Sequence, residues 1–288
     1  EQMHAGLLRP DRCDDVAAAE VRQAAREIGE LGPLDVSRAP VALLFDYESC
    51  WVTDIQPQGS GQGALKAAFD WYSSLRRLGF DIDIISPAAS LDGYRLVVVP
   101  CLPILPPGLV ERLRCFAGQV IVGPRSGSKT SEFRIPDPLP PGELQSLIPL
   151  KVTRVESLRK GLAESGPGFS AGGWLEHVET ALSSSLALDT GRGVGWNSNG
   201  LHYLATALDE AGRIAFFGSV ARRAGLAPLL LPPALRTRSA GGHRFFFNYG
   251  REALALPQVA GPDVKYGSDP LPPAGVAIVE CGRPIEAG

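Results

Sequence analysis

The sequence predicts an α/β fold, in which a doubly wound, mostly parallel sheet is followed by a small antiparallel β domain. Two apolar runs, residues 41–45 and 96–99, lack the polar alternation of half-exposed strands, as expected of strands buried on both faces. Segments with helical spacing lie between such runs, so strand and helix alternate as in βαβ units. Residues 229–288 instead hold short apolar segments separated by Gly, Pro and Asn, which is typical of antiparallel strands.

The individual elements follow from the same patterns. We expect an Ala-rich helix that is capped by Asp14 and ends near residue 28. Further helices are predicted at residues 64–78, 109–116 and 209–224. Further strands are predicted at residues 80–85, 119–122, 152–155, 186–188, 194–196, 201–205, 243–249, 253–259 and 276–281. Asn199-Gly200 should form the turn of a hairpin.

The first strand ends at a cluster of polar and aromatic residues. These residues are Asp46, Tyr47, Glu48, Ser49 and Trp51. We expect them to form a loop at the carboxyl edge of the sheet, where α/β proteins bind ligands and partners. Three carboxylates in or beside this loop, Asp46, Glu48 and Asp54, could form an acid–base pair, since glycosidases use two carboxyls roughly 5 to 10 Å apart. Capping of neighbouring amides or a subunit contact is the simpler interpretation.

Composition excludes several classes of function. The 288 residues carry a net charge of −3 without basic clusters, so we expect neither nucleic-acid nor membrane binding. The five cysteines are odd in number and lack any CxxC, which argues against a disulfide framework or a zinc site. We expect a soluble cytoplasmic protein with two domains. The first residue is Glu1 and the only methionine is Met3, which indicates a piece of a longer polypeptide.

A proline- and glycine-rich stretch, residues 123–142, is too long for a simple connection and predicts a contact or a function. It begins with GPRSGSKT, which nearly spells the phosphate-binding pattern GxxxxGK[ST]. Ser128 stands where the second glycine is needed, and Pro124 removes an amide from the cradle. The sequence therefore argues against a phosphate loop.

Nucleophilic and metal chemistry finds little support. Cys50 and Cys101 follow strands of a fold that resembles the class I amidotransferase-like and flavodoxin-like group, but neither has the glycines of a nucleophile elbow. Buried structural thiols are therefore expected at both positions. His177, His202 and His243 lack a second ligand at metal spacing, so we expect packing or surface roles.

Six segments carry a resemblance to a known family: EQMHAGLLRP, VALLFDYESCWVTDIQPQG, AFDWYSSLRRLGFDIDII, LVVVPCLPIL, VIVGPRSGSKT and LIPLKVTRVESL. On these segments the chain resembles the carboxyl-terminal half of the β-galactosidases of glycoside hydrolase family 42. The resemblance implies that residues 1–34 are the last loop and helix of a (β/α)8 barrel. It further implies a trimerisation domain at residues 40–225 and a small C-terminal β domain at residues 229–288.

The resemblance also implies a function. The complete protein would be a retaining glycosidase that hydrolyses terminal non-reducing β-D-galactose through a galactosyl-enzyme intermediate. The family's catalytic glutamates and zinc-ligating cysteines would lie upstream of this chain. The chain alone is therefore expected to be inactive, without a metal or cofactor, and its partners would be a β-galactoside and two further copies in a homotrimer. Exposed Tyr47 and Trp51 beside the loop of residues 123–141 are the expected contact.

Glu1 and His4 form an E-x-x-H pair, whose spacing places both side chains on one side of a helical turn. From spacing alone, capping by Glu1 and packing by His4 is the simpler interpretation. The match to the family's EQxH segment implies instead that both bind substrate. A carboxylate can accept hydrogen bonds from two sugar hydroxyls, and an imidazole can donate to or accept from a third.

Two other functions stay open on the sequence. One is a stand-alone, non-catalytic α/β module for oligomerisation or binding, and the other is a stand-alone amidotransferase-like enzyme. The reading frame upstream of Glu1 discriminates between them and the galactosidase. A barrel sequence with an Asn-Glu pair would favour the galactosidase, and an immediate stop codon the stand-alone module.

Overall fold

The computed structural model describes residues 6–59, 61, 63–257 and 264–280. The chain divides into two compact units. The α/β unit is the continuous stretch from Arg38 to Thr237, and the terminal unit joins the residues up to Ser37 with those from Arg238 onward.

The elements of the described residues are numbered along the chain. The helices are α1 (Ala18–Leu31), α2 (Tyr47–Ile55), α3 (Ala64–Arg77), α4 (Leu109–Cys115) and α5 (Glu210–Arg223), with a short 3-10 helix at Gly142–Ser146. The strands are β1 (Val41–Leu44), β2 (Ile82–Ile85), β3 (Leu96–Val99), β4 (Gln119–Val122), β5 (Leu150–Ser157), β6 (Ala163–Gly166), β7 (Phe169–Thr180), β8 (Leu186–Ala187), β9 (Gly193–Ser198), β10 (Leu201–Leu204), β11 (Thr206–Leu208), β12 (Leu235–Ala240), β13 (His243–Asn248), β14 (Val264–Tyr266) and β15 (Val276–Glu280).

A mixed seven-stranded sheet lies at the centre of the α/β unit, with strand order β2-β1-β3-β4-β10-β9-β8. The strands from β2 to β10 pair in parallel, and β9 and β8 add an antiparallel edge. The predicted hairpin joins β9 to β10, and its turn residues Asn199 and Gly200 both have positive φ, 47° and 83°. Such φ values match the twist of the flanking strands, which is why Asn-Gly predicts this turn.

Both faces of this sheet are covered. Successive residues of a strand point to opposite faces, so Val41 and Leu43 belong to one core and Ala42 and Leu44 to the other. The first core includes side chains of α3 and α5, and the second includes side chains of α4, the 3-10 helix and β5. The predicted coverage of the sheet on both faces is therefore confirmed.

A second sheet in the α/β unit was only partly predicted. It has the order β11-β7-β5, and β6 pairs with β7 on the side. Residues 152–155 were expected as a strand and lie within β5, but β6 and the long β7 were missed. The sequence of β7, FSAGGWLEHVET, contains two glycines and no regular alternation, because part of it is buried on both faces.

A four-stranded sheet has the order β12-β13-β15-β14, in which β15 is antiparallel to both β13 and β14. Its strands β13, β14 and β15 belong to the terminal unit. β13 and β15 were predicted, whereas the short polar strands β12 and β14 were not. The strand expected at residues 253–259 is wrong in its described part, where Leu254 makes a single bridge to Leu271. Residues 258 and 259 lie outside the described residues.

The expected cap of the first helix is also wrong. α1 begins at Ala18, and its N-cap residue Ala17 makes no side-chain hydrogen bond to the helix. Asp14 lies ahead of the helix, where its carboxylate is paired with Arg22. The carboxylate of Asp14 therefore pairs with the Arg22 side chain rather than with the backbone amides of the first helical turn.

Candidate functional site

The polar and aromatic cluster after β1 forms a helix rather than the expected loop. Asp46 is the N-cap of α2, and its Oδ1 accepts a hydrogen bond of 2.7 Å from the amide of Ser49. Thr53 on the next turn accepts from the amide of Ala64 at 3.0 Å, which fixes the start of α3 beside α2. Asp46 is a residue type that commonly caps helices, but the sequence analysis predicted a loop where the structure has a nine-residue helix.

The three candidate carboxylates occupy different positions on α2 and its N-cap. Asp46 is used as the cap, while Glu48 and Asp54 are exposed on α2. None of the three carboxylates is buried, so they do not form an enclosed pair. The structure therefore supports the capping interpretation for Asp46.

Two neighbouring helices expose large apolar side chains. On α2, Tyr47, Trp51 and Ile55 follow each other at intervals of four residues, with 70%, 60% and 68% of their surface exposed. On α3, Leu65 and Phe69 are 64% and 65% exposed. We call these five side chains the α2–α3 patch. Exposure of Tyr47 and Trp51 was expected, whereas the sequence analysis did not single out Leu65 and Phe69.

The opposite faces of both helices are buried in the α/β unit. Val52 on α2 and Trp71 and Leu75 on α3 are almost fully buried, so each helix has already supplied one apolar face to the core. A second apolar face on a helix leaves water-exposed surface that association with another molecule would cover. The patch is a candidate interaction surface.

The segment that resembles a phosphate loop is folded inward. The amide of Gly127 donates to Leu102 O at 2.9 Å, and the amide of Lys129 donates to Pro103 O at 3.0 Å. Amides used in this way cannot cradle a phosphate. No helix follows until the 3-10 helix at Gly142–Ser146, so the sequence argument against a phosphate site is confirmed.

A buried carboxylate that the sequence did not single out lies between the two sheets of the α/β unit. Glu176 on β7 accepts hydrogen bonds from the Tyr203 hydroxyl at 2.6 Å, the Arg125 amide at 2.8 Å and the Trp174 indole at 3.1 Å. Burial raises the pKa of the Glu176 carboxyl, and the hydrogen bonds oppose that rise. In the sequence, the only sign that Glu176 is buried is its position beside the apolar residues Trp174 and Leu175.

The two cysteines near the strand ends have no features of a nucleophile. Burial raises the pKa of Cys101 to about 12, so its thiolate is not formed near neutral pH. Burial also raises the pKa of Cys50, and the neighbouring Asp54 and Asp46 carboxylates add to that rise. Both side chains are only half-buried, so the expectation of buried structural thiols stays a prediction.

The histidines also occupy structural positions. His202 is buried against Gln119, with Nε2 and Oε1 at 3.0 Å, and burial lowers its pKa to about 4. His177 contacts Glu156 and Arg154 at the surface, and His243 Nδ1 lies 2.9 Å from Gly241 O. Within the described residues, no group of three or more His, Cys, Asp or Glu is arranged to hold a metal ion.

The two proposed sugar-binding residues, Glu1 and His4, lie outside the described residues, so their roles stay predictions. Among the helices that are described, none combines the length and apolar character needed to cross a lipid bilayer.

Comparison with known proteins gives a consistent result. Residues 39–227 match the family model of the β-galactosidase trimerisation domain. The chain is 45% identical over 286 residues to a β-galactosidase of Thermus thermophilus, covering 97% of this chain and 44% of that protein. It is 28% identical to the β-galactosidase Bga of Halorubrum lacusprofundi, covering 90% and 41%.

Solved structures agree with these relatives. The β-galactosidase of the psychrophilic Marinomonas ef1 superposes with a TM-score of 0.89 at 36% identity, covering 98% of this chain and 45% of that one. The enzyme of Halorubrum lacusprofundi superposes with a TM-score of 0.87 at 28% identity, covering 96% and 45%. The chain thus spans less than half the length of the relatives that it matches.

The buried carboxylate yields the first prediction. Glu176→Ala leaves three buried donors without their acceptor, and we expect it to lower the free energy of unfolding by about 3 kcal/mol or more. The matched control is Glu179→Ala on the same strand, whose side chain is 64% exposed and pairs with Lys151. We expect that control to change stability by about 0.5 kcal/mol or less. Equal denaturation midpoints for the two variants would contradict the assigned role.

The pH dependence follows from the direction of the pKa shift. A raised native pKa means that the native state holds the Glu176 proton more tightly than the unfolded chain does. Its contribution to stability is therefore complete below the unfolded value, ordinarily 4.5, and is lost as the pH rises through the native pKa. As the pH rises from 4.5 to about 8, we expect the free energy of unfolding of Glu176→Gln to fall less than that of the unaltered protein. Urea denaturation at a series of pH values measures this difference.

Proposed function

The chain belongs to the β-galactosidases of glycoside hydrolase family 42, and from that premise we propose that it is the carboxyl-terminal part of a retaining enzyme that releases terminal non-reducing β-D-galactose. The observation that carries this proposal is the similarity to β-galactosidases over 97% of the chain. The part proposed here supplies trimerisation and sugar-binding residues, while the catalytic glutamates belong to the part that precedes it.

The proposed domain boundaries follow from the same similarity. Residues 1–34 would complete a (β/α)8 barrel, residues 40–225 would form the trimerisation domain, and residues 229–288 the C-terminal β domain. The family match at residues 39–227 supports the middle boundary. For this domain we propose the class I amidotransferase-like, flavodoxin-like fold, supported by the parallel order β2-β1-β3-β4-β10, which follows the flavodoxin-like order 2-1-3-4-5. We further propose that the enzyme works in the cytoplasm in carbohydrate metabolism.

We place the trimer contact at the α2–α3 patch. A three-membered ring closes only when each contact joins two different surfaces. The second surface that we propose is the loop of residues 123–141, where Ile135 is 65% and Leu139 is 40% exposed. The patch of one copy would then cover the loop of the next, and each copy would contribute both surfaces.

Sedimentation velocity tests this contact. At about 20 µM, a concentration suited to interfaces of ordinary affinity, we expect the chain to sediment as a trimer. Trp51→Glu and Phe69→Glu each place a charge in a desolvated apolar contact, and we expect at least a tenfold loss of association. Leu230→Glu is the matched control, because Leu230 is 60% exposed in the same unit but lies outside the patch. A trimer that survives both patch variants would place the contact elsewhere.

The absence of catalysis in the isolated chain is a second test. We expect no hydrolysis of a chromogenic β-galactoside, because the proposal assigns both catalytic glutamates to the part of the protein that precedes this chain. Turnover that persists through purification and disappears in Glu48→Gln would overturn the proposal and return catalysis to α2. An active complete enzyme, with an inactive carboxyl-terminal part, would support it.

The roles of Glu1 and His4 are tested in the complete enzyme. Alanine at either position should lower kcat/KM for galactosides, since an unpaired hydroxyl in a buried pocket costs roughly 1–3 kcal/mol. A mechanism-based inhibitor should still label the upstream nucleophile in both variants. Unchanged kinetics in both would show that Glu1 and His4 have the capping and packing roles instead.

A further inference from the structure

The α/β unit contains a cavity of about 270 Å3 that the proposed function does not use. Pro100 and Pro124, the first lining residues after β3 and β4, place it at the carboxyl edge of the parallel strands. Side chains from α3, β7 and the start of α5 complete its wall. This edge is where open α/β sheets usually bind small molecules.

One side of the cavity holds a carboxylate between two cations. Asp70 Oδ2 lies 2.6 Å from Lys66 Nζ and 3.9 Å from Arg213 Nη1. The Arg213 guanidinium is fixed by a 2.9 Å bond from Nε to Ser74 Oγ and by a bond from Nη1 to Leu208 O. Its Nη2 makes no hydrogen bond to any residue in the described part of the chain, so a fixed donor and a fixed acceptor stand side by side.

A second pair of donor and acceptor lies elsewhere in the lining. Ser170 Oγ donates to Asp209 Oδ2 at 3.0 Å. The other oxygen of Asp209 caps α5 through a 2.8 Å bond from the Gly212 amide, which holds this carboxylate in place. A hydroxyl beside a fixed carboxylate can exchange its partner for a ligand hydroxyl without moving the backbone.

Aromatic surface accompanies these polar groups. Trp71 and Trp174 both line the cavity and are otherwise almost fully buried. The Arg125 guanidinium lies 5.0 Å from the centre of the Trp174 ring, and the Trp174 indole is bonded to Glu176. Both contacts hold the Trp174 ring in position, so an apolar wall is prepared before any ligand enters.

We propose that this cavity binds a single neutral sugar ring. Each sugar hydroxyl both donates and accepts, which suits donors and carboxylate acceptors placed next to each other. A carboxylate or phosphate ligand would meet Asp70 and Asp209, and a cationic ligand would meet Lys66, Arg125 and Arg213, so a charged ligand of either sign would meet like charges in the lining. The apolar face of the ring would lie against indole surface. The volume is below the roughly 300–1,000 Å3 of most small-molecule pockets, which fits one ring rather than an oligosaccharide.

Isothermal titration calorimetry of the 288-residue chain with D-galactose and D-glucose tests the proposal. We expect saturable binding of at least one sugar with Kd on the order of 1 mM. Asp70→Asn should weaken binding more than tenfold, because the carboxamide has one acceptor oxygen where the carboxylate has two. The matched control is Glu111→Gln on α4, whose carboxylate is exposed and outside the cavity. It should bind as the unaltered chain does.

A second variant fills the cavity without touching its charges. A Cβ added to Gly172 would meet only Leu162 O at 3.7 Å and the Ala163 methyl group at 3.9 Å, both ordinary contacts. We therefore expect Gly172→Val to fold, which its thermal melting curve checks, and to abolish sugar binding. Three results would overturn the proposal. The first is no heat from either sugar at about 50 mM, which is well above the expected Kd, and the second is unchanged affinity in both cavity variants. The third is binding that is lost in His4→Ala but kept in Asp70→Asn. Saturation by sulfate with none by sugar would likewise overturn it.

Discussion

The buried carboxylate of Glu176 holds together the parts of the α/β unit on which the rest depends. Its three donors come from the segment after β4, from β7 itself and from β10, so one side chain connects the seven-stranded sheet with the second sheet. The backbone strengthens this connection, since the Glu176 amide donates to Ala205 O at 2.8 Å. Burying a charge is unfavourable unless its partners are complete, and here the partners are rigid groups. The same contacts fix Trp174 and the Arg125 backbone, which has φ of 68°.

Much of the fold could be predicted because strands that are buried on both faces appear in the sequence as short, continuous apolar runs. β3 and β4 were predicted to the residue, and α3, α4 and α5 to within one or two residues. The failures have a common cause. β7, β12 and β14 gain their stability from neighbouring strands rather than from an apolar pattern of their own, and pairing of that kind is invisible to local sequence. The same reasoning explains α2, where a single cap at Asp46 decided for helix over loop.

The functional surfaces were less predictable than the fold. Helical spacing showed that Leu65 and Phe69 lie on α3, but it could not distinguish a face turned to the core from a face turned to water. α3 carries both kinds, since Trp71 and Leu75 are buried while the other two are exposed. The cavity was missed for a different reason. Its wall joins Lys66, Trp174 and Arg213, which are far apart in sequence. They come together through the packing of α3 against α5 and through the second sheet, whose longest strand was not predicted.

The division into one continuous and one discontinuous unit bears on how the chain is made. A ribosome releases residues 38–237 as one stretch, so the α/β unit can complete its core while later residues are still being synthesised. The contacts that join the stretch up to Ser37 to the residues from Arg238 onward can form only after the α/β unit has been synthesised. Forming these contacts closes a long loop of chain, and closing a long loop slows folding. Early completion of the intervening unit brings the two stretches closer than an unfolded chain of the same length would. Nascent-chain order therefore favours assembly of the α/β unit first and of the terminal unit last.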